Sequence, residues 1–168
     1  MKYFKLITIV VVSAVTLGLG FAVAQFSSQE ASLKAEIDAI YKGDFRAAFV
    51  EKKPELFLKY LADEYVSETI EGQKLDAATL GKFFSATFPN LVRTIEHNVS
   101  FEDVKVLSPT KLRVVVTLNT LLEFKGGAGN YLTNTIATYR DTWEKRNGKW
   151  LEVSADLLRN QTTSFRRP

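Results

Sequence analysis

Apolar residues recur at helical spacing in the part of the chain that follows the first 29 residues. Between residues 30 and 52 they repeat at intervals of three, four and seven, which predicts an amphipathic helix. Gly43 and Asp44 interrupt this stripe and are expected to loosen the helix. Pro54 favours the start of a second helix, and Asp76 is placed to cap a third.

The second half of the chain alternates apolar and polar residues and is rich in β-branched residues, which predicts strands. The predicted strands cover residues 92–107, 111–124, 131–145 and 149–158, and a short extended segment covers residues 65–70. A continuation of the last strand through Phe165 stays open. Asn147 and Gly148 form the strongest hairpin signal in the chain. Three helices followed by a four-stranded antiparallel meander predict an α+β fold.

The N-terminus has the pattern of an export leader. Two lysines precede an uncharged apolar run over residues 6–24, which ends in a small-x-small motif. We therefore expect a signal peptide at residues 1–24, cleaved between Ala24 and Gln25, and a protein in the bacterial periplasm or outside the cell. The alternative is an uncleaved anchor in the inner membrane, because the apolar run approaches the length that spans a bilayer.

Removal of this leader changes the charge balance. The net charge of the 168-residue chain is +3, and it falls to +1 without the two leader lysines. A nearly neutral domain gives no reason to expect nucleic-acid binding. We expect a linker at residues 25–29, a domain at residues 30–165 and a tail at residues 166–168. The absence of Cys excludes disulfides, thiolate metal sites and a cysteine nucleophile, and a single His leaves few ways to build a histidine-rich metal site.

Residues 139–153, with the sequence YRDTWEKRNGKWLEV, carry a family resemblance, and so do residues 56–69. The first segment is similar to the last two strands and the tight turn of the NTF2-like superfamily, in particular its SnoaL-like and DUF4440-like branches. The resemblance covers about residues 30–160. It implies a cone in which three N-terminal helices pack against a strongly curved antiparallel sheet around an apolar pocket. Members include isomerases, epoxide hydrolases, polyketide cyclases, transport and assembly modules and proteins with no known activity, so the fold does not select the function.

One face of the strand over residues 131–145 carries the candidate chemistry. Alternation places Tyr139, Asp141 and Trp143 together, and two large aromatic residues favour the inner side of the sheet. A carboxyl group in apolar surroundings has a raised pKa and can act as a general acid or base. The alternative is an Asp141 that pairs with Arg140, Arg113 or a backbone amide at the pocket rim.

The other candidate residues belong to the lining of the implied pocket. The residues expected there are Tyr65, Phe84, Asn119, Asn134 and Trp143. His97 lies between Glu96 and Asn98, which favours a solvated strand position over a role as a base. The acidic residues that are adjacent in the sequence, Asp63 with Glu64 and Glu102 with Asp103, are interpreted as surface charge. We therefore expect neither a metal nor a cofactor.

Two functions from different classes follow. The first is an exported, non-catalytic domain that binds a small apolar ligand or a protein partner through its pocket or sheet. The alternative is a SnoaL-like or ketosteroid-isomerase-like enzyme that uses Asp141 as general acid or base, with Tyr139 or Tyr65 donating a hydrogen bond to a developing oxyanion. We also expect a homodimer through the sheet, and contact with a membrane only through an uncleaved leader.

Overall fold

The computed structural model describes residues 30–127 and 129–166. The predicted leader and linker, and the last two residues of the predicted tail, lie outside the described residues. The described residues belong to two units, which meet between residues 36 and 37 of the sequence. No helix among the described residues is long and apolar enough to cross a bilayer.

The helical segments lie where the pattern predicts them, and the segment that follows Pro54 is short, with 4 residues. Helix α1 covers residues 30–40, followed by a π-helical turn at Tyr41–Phe45, α2 at Arg46–Val50, α3 at Glu55–Leu58, α4 at Ala77–Thr87 and a 3₁₀ turn at Phe88–Asn90. The helix predicted over residues 30–52 is confirmed as a continuous helical run over residues 30–50, whose middle turn is π-helical. The loosening expected at Gly43 and Asp44 is present, because both residues lie in the wider π-helical turn.

Six strands form one curved sheet. They are β1 at Leu61–Glu68, β2 at Lys74–Asp76, β3 at Leu91–Ser108, β4 at Lys111–Phe124, β5 at Tyr131–Arg146 and β6 at Lys149–Arg166, in the spatial order β2-β1-β6-β5-β4-β3. The predicted meander is present as antiparallel pairs from β3 to β6. β1 pairs in parallel with β6, and this pairing was not predicted. The α+β fold class, with helices against a curved sheet, is confirmed.

The boundaries of β1 and β2 differ from the prediction, and the structure decides the end of β6, which the sequence left open. β1 begins at Leu61 instead of residue 65. Its first half shows no alternating pattern in the sequence, because a register shift before Val66 leaves Asp63 and Glu64 both exposed. β2 has three residues, too few to show a period. β6 continues to Arg166, because its exposed second half pairs with β5 through the backbone and needs no apolar face.

Two short signals in the sequence are confirmed. The Asp76 side chain accepts a hydrogen bond from the Thr79 backbone N–H at 2.8 Å and caps α4. Asn147 and Gly148 adopt positive φ angles of 51° and 79° in the turn between β5 and β6. Two successive positive φ angles match the turn that twists in the same sense as the strands it joins.

The core of the second unit lies between its helical segments and one face of the long strands, which we call the inner face. Val114 and Val116 on β4 and Trp143 on β5 are fully buried on this face. The Trp143 ring meets the Tyr41 ring at 5.7 Å and the Phe45 ring at 5.9 Å between centroids. Both partners come from the π-helical turn, so these ring contacts join that turn to the centre of the sheet.

Candidate functional site: a carboxyl pair in an aromatic cavity

A cavity of about 200 Å³ opens between the helical segments and the inner face of the sheet. Its lining residues are Tyr41, Phe45, Phe49, Phe57, Tyr65, Ser67, Thr69, Leu75, Leu80, Phe84, His97, Leu118, Tyr139, Asp141, Glu152, Ala155 and Leu157. Most of these side chains are aromatic or aliphatic. A mostly apolar cavity with a few polar groups is the usual form of a small-molecule site.

Asp141 provides a carboxyl group inside this cavity. It lies on β5 between Tyr139 and Trp143, and it is 3% exposed. The Tyr41 hydroxyl donates a hydrogen bond to Asp141 Oδ2. The indole Nε1–H of Trp143 in turn reaches the Tyr41 oxygen at 3.4 Å. This chain of contacts fixes the orientation of the Asp141 carboxyl group.

Glu152 on β6 adds a second carboxyl group, which sequence reasoning missed. It pairs across the sheet with Trp143, whereas Ser154 pairs with Thr142, so Val153 is an extra residue in a β-bulge. The bulge lets both Glu152 and Ala155 face the cavity, although strict alternation would place them on opposite faces. The signal that was available is the position of Glu152 two residues after Trp150, on the same face of the strand as this core residue.

The two carboxyl groups affect each other. Burial raises the pKa of Asp141 to about 7, although the hydrogen bond from Tyr41 lowers it in part. Burial also raises the pKa of Glu152 well above its usual range, and the charge of Asp141 raises it further. Two carboxyl groups that lie close together in a low-dielectric cavity titrate as a pair and favour a shared proton over two charges.

The other titratable groups of the cavity remain neutral near pH 7. Burial raises the pKa of Tyr41 and Tyr65 well above the usual range, and it raises the pKa of Tyr139 to about 12. The three hydroxyl groups therefore keep their protons. Burial lowers the pKa of His97, which favours its neutral form.

Three buried polar atoms of the cavity residues have no hydrogen-bond partner within the chain. They are Asp141 Oδ1, Glu152 Oε2 and His97 Nδ1. Neither Lys nor Arg occurs among the described residues that line the cavity. Buried polar atoms are usually hydrogen-bonded, so these atoms are the places where a ligand can make polar contacts.

A metal site would need several acidic or His side chains grouped around one point. Within residues 30–127 and 129–166, no group of three or more Asp, Glu and His side chains is arranged to hold a metal ion. The acidic residues of the cavity number two, Asp141 and Glu152. Proton transfer by carboxyl groups is the chemistry that these residues offer directly.

The structure brings together most of the residues singled out in the sequence. Asp141, Tyr139, Tyr65 and Phe84 all line the cavity. Trp143 lies behind the lining, fully buried against Tyr41, and does not reach the cavity surface.

Asn119 and Asn134 are not part of the cavity lining, which corrects the prediction for both residues. Asn119 is opposite Ile136 in the β4–β5 register, and Asn134 lies two residues before Ile136 on the same strand. All three share the outer face of the sheet, because odd-numbered residues of β5 face the cavity. The same alternation, applied to Asn134 in the sequence, would have placed it outside.

The solvated position expected for His97 is also wrong. His97 is 7% exposed, lines the cavity and contacts the Phe49 ring at 5.2 Å between centroids. Its charged and polar sequence neighbours, Glu96 and Asn98, are exposed because they point to the opposite side of β3. Neighbours along a strand therefore describe the other face of the sheet.

The pairing considered as the alternative for Asp141 is not formed with Arg140. Arg140 donates hydrogen bonds to Asp156 at 2.8 and 3.1 Å on the exposed side of the sheet. Asp141 faces the cavity and accepts from Tyr41 instead.

Several solved structures share this architecture at low sequence identity. A scytalone dehydratase-like protein from Novosphingobium aromaticivorans DSM 12444 is 14% identical, with a TM-score of 0.67 over 84% of this chain and 93% of that one. An NTF2-like protein of unknown function in nutrient uptake from Rhodospirillum rubrum ATCC 11170 is 19% identical, with a TM-score of 0.57 over 71% of this chain and 94% of that one. The chain has the NTF2-like fold.

A third structure extends this result. Hexachlorocyclohexane dehydrochlorinase LinA-type3 from Novosphingobium barchaimii LL02 is 13% identical, with a TM-score of 0.60 over 82% of this chain and 94% of that one. No protein-family model matches the sequence, and neither does a curated protein. The NTF2-like fold is thus shown by structure alone, and identities this low say nothing of the activity.

Proposed function

We propose that this chain is an acid–base enzyme of the NTF2-like superfamily, of the SnoaL-like or ketosteroid-isomerase-like kind, acting on a small apolar molecule held in the cavity. The observation that supports the proposal is the buried Asp141 carboxyl group, oriented by Tyr41 and with its second oxygen unpartnered. A carboxyl group whose pKa is raised towards neutrality can take up and return a proton at working pH. Two of the similar structures carry the names of enzymes that eliminate water or hydrogen chloride.

The proposed step is proton abstraction from carbon. Asp141 takes the proton through Oδ1, and the electron pair of the broken C–H bond moves to an adjacent carbonyl oxygen or expels a leaving group on the next carbon. Tyr139 or Tyr65 donates a hydrogen bond to the oxygen on which negative charge develops. Both hydroxyl groups line the cavity and keep their protons, so they are available as donors.

Hydrogen–deuterium exchange tests this step without knowledge of the natural substrate. Phenylacetone is incubated in D₂O with the full chain, and NMR follows the loss of the C–H signals next to the carbonyl group. We expect the Asp141→Asn variant to slow the protein-dependent exchange by about 10²–10⁴-fold, the usual contribution of a general base. Asp103→Asn, at an exposed position on β3, is the matched control and should leave the rate unchanged.

Equal exchange rates in the wild type and Asp141→Asn would overturn the enzymatic proposal. The second candidate, a non-catalytic binding domain, is favoured by the largely apolar lining of the cavity. Binding of phenylacetone without exchange in the wild type would support this candidate instead. Chemical-shift changes of the ligand signals report binding separately from exchange.

We further propose that residues 1–24 direct export and are cleaved between Ala24 and Gln25. The support is the sequence pattern of two lysines, an apolar run and a small-x-small motif. The mass and the N-terminal sequence of the protein recovered from the periplasm test this proposal. An intact leader on membrane-bound protein would support the anchor over residues 6–24.

A homodimer through the outer face of the sheet is a separate proposal. Ile136 on β5 and Leu158 on β6 are large apolar side chains exposed on neighbouring strands. Pairing of two sheets would cover them. Sedimentation equilibrium should give the mass of two chains, and a single-chain mass would overturn the proposal.

A further inference from the structure

The polar part of the cavity contains carboxyl oxygens, and no positively charged side chain of the described lining faces them. The Tyr41 hydroxyl occupies Asp141 Oδ2, whereas Asp141 Oδ1 and Glu152 Oε2 have no partner within the chain. Both carboxyl groups are 3% exposed, so water around the folded chain hardly reaches them. Buried carboxylates are costly unless they are protonated or face a cation. The described lining offers neither Lys nor Arg for this purpose.

We propose that the cavity takes a compact apolar amine, with its ammonium group bound between Asp141 and Glu152. This inference goes beyond the proposed function and shares with it only the premise that the cavity is a ligand site, because an amine bound here occupies Asp141 Oδ1 and excludes a substrate from the base. An ammonium group offers three N–H donors and one positive charge. It can satisfy both unpartnered oxygens and balance the single negative charge that remains when the two carboxyl groups share one proton.

The size of the cavity limits the apolar part of the ligand. The cavity measures about 200 Å³, and an engineered apolar cavity of about 150 Å³ binds benzene. One aromatic ring with a short aliphatic arm therefore suits the space. The wall opposite the carboxyl groups is built from rings such as Phe49, Phe57 and Phe84, which favour a flat apolar body.

The charge of the ligand decides its affinity. A ligand carboxylate would meet two carboxyl groups without a cation, and we expect it to be excluded. A neutral alcohol can donate one hydrogen bond to the pair, but it brings no compensating charge. An amine combines the donors with the charge, so its affinity should exceed that of an alcohol of the same shape.

Binding of the amine should depend on pH. The titratable groups of the cavity are Tyr41 from the π-helical turn, Tyr65 from β1, His97 from β3, Tyr139 and Asp141 from β5, and Glu152 from β6. Asp156 on β6 adds a negative charge that acts on Asp141 from outside the cavity. The tyrosines and His97 stay neutral near pH 7, so the carboxyl pair is the group that changes its protonation. The affinity should rise as pH rises and the pair loses protons.

Three probes of similar shape test the proposal on the full chain by isothermal titration calorimetry at pH 7. They are 2-phenylethylamine, 2-phenylethanol and 3-phenylpropanoate. We expect the amine to bind at least about tenfold more tightly than the alcohol, and the carboxylate to bind most weakly. Titrations of the amine in phosphate and in Tris, which differ in ionisation enthalpy, should show proton release from the protein.

Variants separate the carboxyl pair from the rest of the cavity. Glu152→Gln should reduce the preference for the amine over the alcohol to within about threefold while the alcohol still binds. Glu96→Gln, at an exposed position on β3, should keep the full preference. If Glu152→Gln does not fold, the order of the three probes on the wild type still decides the proposal.

The outcomes distinguish the two proposals. An alcohol that binds as tightly as the amine, or a carboxylate that binds more tightly than the amine, overturns the amine proposal and leaves the ligand site in place. If none of the three probes binds, the amine proposal fails, and the exchange of phenylacetone tests the proposed function separately.

Discussion

The Asp141→Asn variant should make the folded chain more stable at neutral and alkaline pH. The substitution keeps the shape of the side chain and retains an oxygen that can accept from the Tyr41 hydroxyl, but it removes the ionisable group. Folding raises the pKa of Asp141 from its ordinary value of 3.8 to about 7, mainly through burial. The folded state therefore disfavours the charged carboxylate relative to the unfolded chain.

The size and the pH range of this effect follow from that difference. Below pH 3.8 the carboxyl group is protonated in both states, so it costs no stability. Between pH 3.8 and about 7 the cost grows, and above about 7 it is complete. One pKa unit corresponds to about 1.4 kcal/mol, so the full cost is about 4 kcal/mol. Proton sharing with Glu152 reduces it, and we expect Asp141→Asn to gain about 2–4 kcal/mol at pH 8.

Urea denaturation followed by circular dichroism measures this gain. The free energies of unfolding of the wild type and Asp141→Asn are compared at pH 4 and at pH 8. The gain should be present at pH 8 and nearly absent at pH 4. Asp103→Asn, at an exposed strand position, is the control and should change the free energy by less than about 0.5 kcal/mol at both pH values. A gain of equal size at both pH values, or a loss at pH 8, would refute the argument.

Three further substitutions test other contacts. Tyr41→Phe removes the hydrogen bond that lowers the pKa of Asp141, so the acidic limb of any pH–rate profile should move to higher pH, and the free energy of unfolding at pH 8 should fall by about 1–3 kcal/mol. Gly148→Ala places a side chain at a φ of 79° and should lower the unfolding free energy by about 1 kcal/mol in urea titrations. Asp76→Ala removes the bond to the Thr79 N–H and should lower it by about 1 kcal/mol, with faster hydrogen exchange in the first turn of α4.

Much of the fold is predictable from the sequence because local signals and burial agree. β4 and β5 alternate and pair without a register shift, and the turn at Asn147 and Gly148 sets the pairing of β5 with β6 next to the turn. The cap at Asp76 depends on a single side chain and its nearest backbone. The parallel pairing of β1 with β6 depends on contacts between distant parts of the chain, for which a short strand carries no local signal.

The candidate site is predictable in part for the same reason. Asp141 follows from alternation between two large aromatic residues on one strand. Its hydrogen-bond partner, Tyr41, lies 100 positions away and reads in the sequence as one more residue of a helical apolar stripe. Strict alternation does not predict that Glu152 lines the cavity together with Ala155, because it fails at the bulge. The burial of His97 is not predicted either, because its exposed neighbours lie on the other face of the strand.

The bulge at Val153 lets β6 carry one more residue than its partner strand while both Glu152 and Ala155 face the cavity. Deleting Val153 would restore regular pairing and leave Glu152 opposite Trp143 and Ala155 opposite Asp141, so both would stay on the inner face. A codon lost at Leu151 would instead move Glu152 opposite Glu144 and turn it to the outer face, which converts a two-carboxyl cavity into a one-carboxyl cavity. Relatives with this fold can diverge in activity by insertion and deletion as well as by substitution.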